Sequence, residues 1–165
     1  MLIRLAAPCT QDSIVDGAGL RMVVWCQGCL HNCPGCHNPD THNPKGGFPT
    51  TVSEIIQQFK ANPLLSGITL SGGDPFVQAK ACAEIAKAVK ALGKNVWTYT
   101  GYTYEQILAS GRADWQELLS YTDVLVDGPY VEELRNLELD FRGSENQRLI
   151  NIKHVYSSYP AMEAG

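Results

Sequence analysis

The chain has little charge and no long apolar run. Only 18% of its 165 residues are Asp, Glu, Lys or Arg, and the net charge of −4 comes without a basic stripe. That pattern excludes the electrostatic footprint of a nucleic-acid binder. No stretch approaches the roughly 18 consecutive apolar residues that a membrane-spanning helix needs. There is no repeat, no low-complexity tract and no interdomain linker. The opening segment, Met1 to Pro8, is too short and too soon interrupted for a secretory signal, so a cytoplasmic location is expected. What remains is an ordinary globular composition, 44% hydrophobic, long enough for one domain with a real core.

Six cysteines in a chain without a signal read as metal or redox chemistry and not as a disulfide framework. Four of them fall between Cys26 and Cys36, and Cys29, Cys33 and Cys36 form a C-x3-C-x2-C pattern straight after an apolar run. Three thiolates can hold three irons of a four-iron cluster and leave the fourth iron open for chemistry. Two other readings compete. A zinc site would use Cys26, Cys29, Cys33 and Cys36, but only three residues separate the two pairs, where zinc ribbons have about 15–20. An electron-transfer ferredoxin would need a further cysteine at the position of Val23. Cys26 reads as a small buried hydrophobe, and Cys9 and Cys82 as packing or surface residues.

Periodicity predicts strands at Leu20–Trp25, Gly67–Leu70, Asn95–Thr100, Asp123–Asp127 and about Arg148–Ile152. Between them it predicts helices after Thr51, at about Phe76–Leu92, across Tyr104–Leu119 and, shorter, near Val131–Leu137, with a Pro/Gly/Asn-rich loop over Asn38–Thr50. Such alternation implies a parallel sheet of β-α units, whose sites gather at the strand C-terminal ends. The cysteine loop and the turn Ser71-Gly72-Gly73-Asp74 both fall there, which argues for one shared site. Two glycines let backbone approach a ligand, and Asp74 suits a cationic amine or a helix cap.

Several segments extend this picture in order: Ser13 to Arg21, Gln27-Gly28-Cys29, Cys33-Pro34-Gly35-Cys36-His37-Asn38, Leu70 to Pro75, Trp97 to Tyr102, Val124 to Gly128 and Arg142 to Arg148. Together they resemble the radical S-adenosylmethionine superfamily, and within it the activases of glycyl radical enzymes, nearest to the branch that serves anaerobic (class III) ribonucleoside-triphosphate reductase. Gly35, where many superfamily members carry an aromatic residue, agrees with that branch.

The resemblance implies an α/β fold: an open, incomplete (β/α) barrel of mostly parallel strands, as one domain over residues 1–165, with a cluster loop at about 26–38. It implies Cys29, Cys33 and Cys36 as ligands of a [4Fe-4S] cluster. Contacts to S-adenosylmethionine would come from Gly35, His37, Ser71, Gly72, Gly73, Asp74 and Tyr99, with no catalytic residue beyond cluster and cofactor. Reductive cleavage of that cofactor would place a glycyl radical on the large subunit of the reductase. The expected partners are that subunit's glycyl radical loop and a flavodoxin or similar reductant; a homodimer is left open, and neither nucleic acid nor membrane is expected. An activase of another glycyl radical enzyme, such as pyruvate formate-lyase, and a ferredoxin-like carrier remain alternatives. His31 is read as solvent-facing or as supporting the ligands, and Arg142 to Arg148 has no residue-by-residue assignment.

Overall fold

The computed structural model describes residues 1–29, 31, 42–136 and 138–152. Its eight strands are β1 (Leu2–Leu5), β2 (Thr10–Ser13), β3 (Arg21–Cys26), β4 (Phe48–Thr51), β5 (Gly67–Gly72), β6 (Asn95–Tyr99), β7 (Val124–Asp127) and β8 (Arg148–Asn151). Four helices join them: α1 (Val52–Lys60), α2 (Ala79–Ala91), α3 (Tyr104–Ala109) and α4 (Ala113–Ser120). No described helix is long and apolar enough to cross a membrane.

All strands share one sheet in the order β4-β1-β3-β5-β6-β7-β8, with β2 also pairing β3. The centre is parallel, β3 to β5 to β6 to β7, because each step is bridged by helix. The flanks are antiparallel: β1 against β3 and β4, β2 against β3, and β8 against β7. The mostly parallel sheet expected from the sequence is therefore corrected to a mixed one. The reason is local, since among the described residues the connections to these flanking strands carry no α-helix to bring the chain back in the same direction. The sheet does not meet itself; β4 and β8 are its two ends.

Alternation along the central strands sorts side chains to two faces. Met22, Val24 and Cys26 of β3, Ile68 and Leu70 of β5, Val96 of β6 and Leu125 of β7 point into the core beneath the helices. Ile55 and Phe59 of α1, Ile85 and Val89 of α2, Ile107 of α3 and Leu118 of α4 meet them there. Each such fully buried side chain contributes about 1.5–3 kcal/mol. The helices start where the sequence says they should. Thr51 caps α1 by accepting from the Glu54 amide, and Thr103 with Gln106 forms a reciprocal capping box on α3. The single helix expected across Tyr104–Leu119 is two, broken at Gly111, whose φ of +68° ends α3.

The other face carries Arg21, Thr69, Ser71, Trp97, Tyr99 and Val126, none of which belongs to the helix-side core. Arg21 is fully buried, yet none of its hydrogen bonds goes to a carboxylate. It donates to Thr69 Oγ1 (2.8 Å) and to the carbonyls of Ala18 (2.9 Å), Ile68 (2.7 Å) and Asn95 (3.4 Å), and lies over the Trp97 ring. Burial lowers its pKa to about 10, so it still carries its charge at neutral pH. Thr69 Oγ1 in turn donates to the Asp16 carbonyl at 2.6 Å. Arg21 and Thr69 thus tie the loop between β2 and β3 to the sheet.

Candidate metal and cofactor centre

The strand ends that carry the cysteine loop and the glycine turn are bonded to each other. Gly73 N donates to Cys26 O and Asp74 N to Gly28 O, both at 2.7 Å. The loop is closed at its base where Cys29 N donates to the His42 carbonyl (3.1 Å) and the Gln27 side chain to that of Asn43 (2.8 Å). Gln78 braces the root from below, donating to the carbonyls of Arg4 and Gln27.

Above these strand ends opens a cavity of about 460 Å³. That is within the range of about 300–1,000 Å³ usual for small-molecule sites. Cys29 and His31 line it beside Ser71, Gly72, Gly73, Tyr99 and Thr100, with Asp16 from the β2–β3 loop. Phe141, Arg142, Gly143 and Gln147 form another part of its wall. Burial, reinforced by the Asp16 carboxylate, holds the Tyr99 phenol well above its ordinary range, so it stays neutral.

Of the expected cluster ligands, Cys29 faces this cavity, while Cys33 and Cys36 lie outside the described residues. Of the expected cofactor contacts, Ser71, Gly72, Gly73 and Tyr99 line the cavity, and Gly35 and His37 lie outside the described residues. Asp74 lies beneath them, fully buried. Its carboxylate accepts from Phe76 N, Thr100 Oγ1, Gly101 N and His31 Nε2. Gly72 is a glycine for a reason the turn alone did not suggest. Its φ is +102°, and a Cβ there would lie 2.4 Å from the Cys26 amide nitrogen.

Other strand-end residues divide at the point where the strands stop, since Thr100 and Gly128 lie just past β6 and β7. Thr98 turns to the helix side and bonds the Thr122 hydroxyl at 2.9 Å, whereas Thr100 lines the cavity. Asp127 is occupied by Tyr104 N and Arg148, leaving Gly128 on the cavity.

The segment that had no assignment now has one. Gln147 Oε1 accepts from the amides of Gly143 (2.9 Å) and Ser144 (3.1 Å), and its Nε2 donates to the Gly128 carbonyl. Asn146 donates to the Pro129 carbonyl and Ser144 Oγ accepts from Val131 N. These bonds hold 141–147 as a wall. Phe141 adopts φ of 61°, unusual for a bulky residue, and its ring meets Trp97 edge-on at 5.2 Å. Cys26 is not at the cavity. Its sulfur is buried in the helix-side core, 3.6 Å from that of Cys82, and the Cys82 contact with burial raises its pKa.

A thiol at a strand end, opening on a cavity and belonging to a three-cysteine loop, offers the soft donors that iron–sulfur clusters take. Cys29, the described cysteine of that loop, supplies one donor of the kind such a cluster takes, and residues 15–150 match the family described as 4Fe-4S single cluster domain, so the chain belongs to that family. Its relatives narrow the assignment. The chain is 36% identical over 148 residues to the anaerobic ribonucleoside-triphosphate reductase-activating protein of Enterobacteria phage T4, covering 86% of this chain and 88% of that one. It is 35% identical over 149 residues to the protein of the same name from Escherichia coli (strain K12), covering 85% and 94%. A third, from Vibrio cholerae serotype O1, is 37% identical over 142 residues, covering 81% and 89%. The chain is a member of this family of activating proteins.

Proposed function

We propose that the protein activates anaerobic ribonucleoside-triphosphate reductase by generating a glycyl radical on its large subunit. The observation that carries this reading is the meeting of Cys29 with the Ser71-Gly72-Gly73 turn and Tyr99 around one cavity. An open sheet with a parallel β-α centre supports reading the fold as an incomplete radical S-adenosylmethionine barrel. Cys29, Cys33 and Cys36 would hold three irons, leaving one for the cofactor. A cluster held there would supply the single electron for reductive cleavage of S-adenosylmethionine to methionine, the chemistry by which a hydrogen atom would be taken from glycine.

The chain's own part is to bind, orient and exclude water. Backbone of Ser71 to Gly73 borders the cavity beside Cys29, and Tyr99 presents a neutral phenol there. No proton transfer to a side chain is required by this reading. Electrons would come from a flavodoxin or similar donor.

Anaerobically reconstituted protein, reduced with dithionite and given S-adenosylmethionine, is expected to release 5′-deoxyadenosine. With the reductase added, a glycyl radical doublet is expected by electron paramagnetic resonance. Cys29→Ala should abolish both. Cys26→Ala should retain iron and cleavage, since its sulfur packs against Cys82. A reducible cluster without cleavage would make the protein an electron carrier, and zinc in place of iron would end the radical reading.

A further inference from the structure

We infer that His31 is the positioning residue of the cysteine loop: its imidazole fills a socket made by Asp74, Gly101 and Tyr102, and so sets where the Cys29 thiolate is held. The inference rests on the loop carrying a cluster, not on the identity of the cofactor or partner.

The socket is built from residues outside the loop. Three donors of the framework hold the buried Asp74 carboxylate: Phe76 N at 3.0 Å, Gly101 N at 3.0 Å, and Thr100 Oγ1 at 2.9 and 3.0 Å. A buried carboxylate is costly unless its oxygens are well satisfied. The fourth donor is His31 Nε2, 2.6 Å from Oδ2, and it comes from the cysteine loop. The imidazole is only 14% exposed.

The walls are equally specific. The Tyr102 ring meets the imidazole edge-on with centroids 4.3 Å apart. Tyr102 is fixed by the hydrogen bond its backbone N–H donates to Thr100 Oγ1 and by Trp115, whose ring lies 4.5 Å away and whose Nε1 donates to the Phe76 carbonyl. On the remaining side Gly101 leaves room only for the ring: a Cβ there would lie 2.6 Å from His31 Cδ2. A side chain two residues beyond a cluster ligand is thus pinned to the ends of both β5 and β6. Ordering of that kind is what support of a metal ligand from behind requires.

The test begins with iron-free, reduced protein, so that it does not depend on turnover. Alkylation of Cys29 by iodoacetamide, read by peptide mass spectrometry against Cys9 as internal reference, is expected to accelerate about tenfold in His31→Ala, the equivalent of one net hydrogen bond to a charged group. Gly101→Ala, which crowds the ring while leaving the Asp74 side chain and the Gly101 amide that binds it in place, should do the same. His31→Gln, which keeps a donor for Asp74, should return the rate toward that of wild type. Thermal midpoints of the iron-free variants, expected to stay close to that of wild type, check that the fold persists. In reconstituted protein, the resonance spectrum of the reduced cluster should shift in His31→Ala and Gly101→Ala and revert in His31→Gln. Unchanged alkylation and spectra in both disruptive variants would overturn the inference. So would a His31→Gln protein as reactive as His31→Ala, because ring packing and not the bond to Asp74 would then be the anchor.

Discussion

Arg148 and Asp127 face each other across the β7–β8 ladder, and the guanidinium closes on both carboxylate oxygens while its outer nitrogens grip Glu105 at 2.7 and 3.0 Å. Asp127 is 1% exposed and also accepts from the Tyr104 amide at 2.7 Å. One arginine therefore ties the last strand, the end of β7 and the start of α3.

Removing Arg148 leaves a buried carboxylate short of its cation. Breaking a fully buried pair costs about 3–5 kcal/mol, but water can replace part of a half-exposed arginine, so about 2 kcal/mol is expected for Arg148→Met. At this chain length that is a fall of roughly 4–8 °C in thermal midpoint. Asp127→Asn should cost less, since the amide oxygen can still accept from Tyr104. Scanning calorimetry of the iron-free protein decides the order.

Two glycines with left-handed backbone should respond to the same change to very different degrees. At Gly93, φ is +76° and a Cβ would meet nothing within 4 Å, so Gly93→Ala costs only the conformational term, about 1–2 kcal/mol. At Gly72 the added carbon would strike the Cys26 backbone from 2.4 Å, and the β3–β5 ladder must part to admit it. Urea denaturation should show a modest shift for Gly93→Ala and loss of the folded baseline for Gly72→Ala.

Stability should decline on the alkaline side. Burial pushes Cys9 up to about 11 and raises Tyr99, and the Cys82 contact with burial raises Cys26. Groups that keep their protons longer when folded stabilise fully below their unfolded pKa and lose that contribution as pH rises through the folded value. The window for Cys9 opens at its ordinary value of 9.0 and closes past about 11. The urea midpoint of reduced, iron-free protein is expected to hold steady near neutrality and fall across that window. Cys9→Ala should flatten the fall; an unchanged slope would contradict it.

The central strands were legible because their residues are apolar on nearly every position, as in Met22–Val24 and Ile68–Leu70, and little else produces such runs between turn signals. The capping threonine at position 51 was legible for the same local reason. Strands β1, β2 and β4 were not, since Thr10–Ser13 and Phe48–Thr51 are polar or contain proline and become strands only by pairing with distant partners. At the site, the Gly72-Gly73 turn carried its own signal, and Tyr99 followed from its place at a strand end. Asp16, Phe141 and Gln147 carry no individual signal, although Asp16 and Gln147 lie in segments that carry the resemblance and Phe141 immediately precedes one. The bond of His31 to Asp74 spans 43 residues, and no spacing rule reaches that far.

The sheet's two unjoined ends have a geometric consequence. In a closed barrel the bore is dictated by strand number and stagger, and it changes only if ladder bonds break. A sheet that stops at β4 and β8 is under no such constraint. Its curvature can relax or tighten through small changes of twist, with every interstrand bond intact. The aperture of this cavity is therefore not fixed by an arithmetic of strands; on one side it is bounded by the 141–147 wall, which Gln147 and Asn146 stitch to Gly128 and Pro129 just after β7.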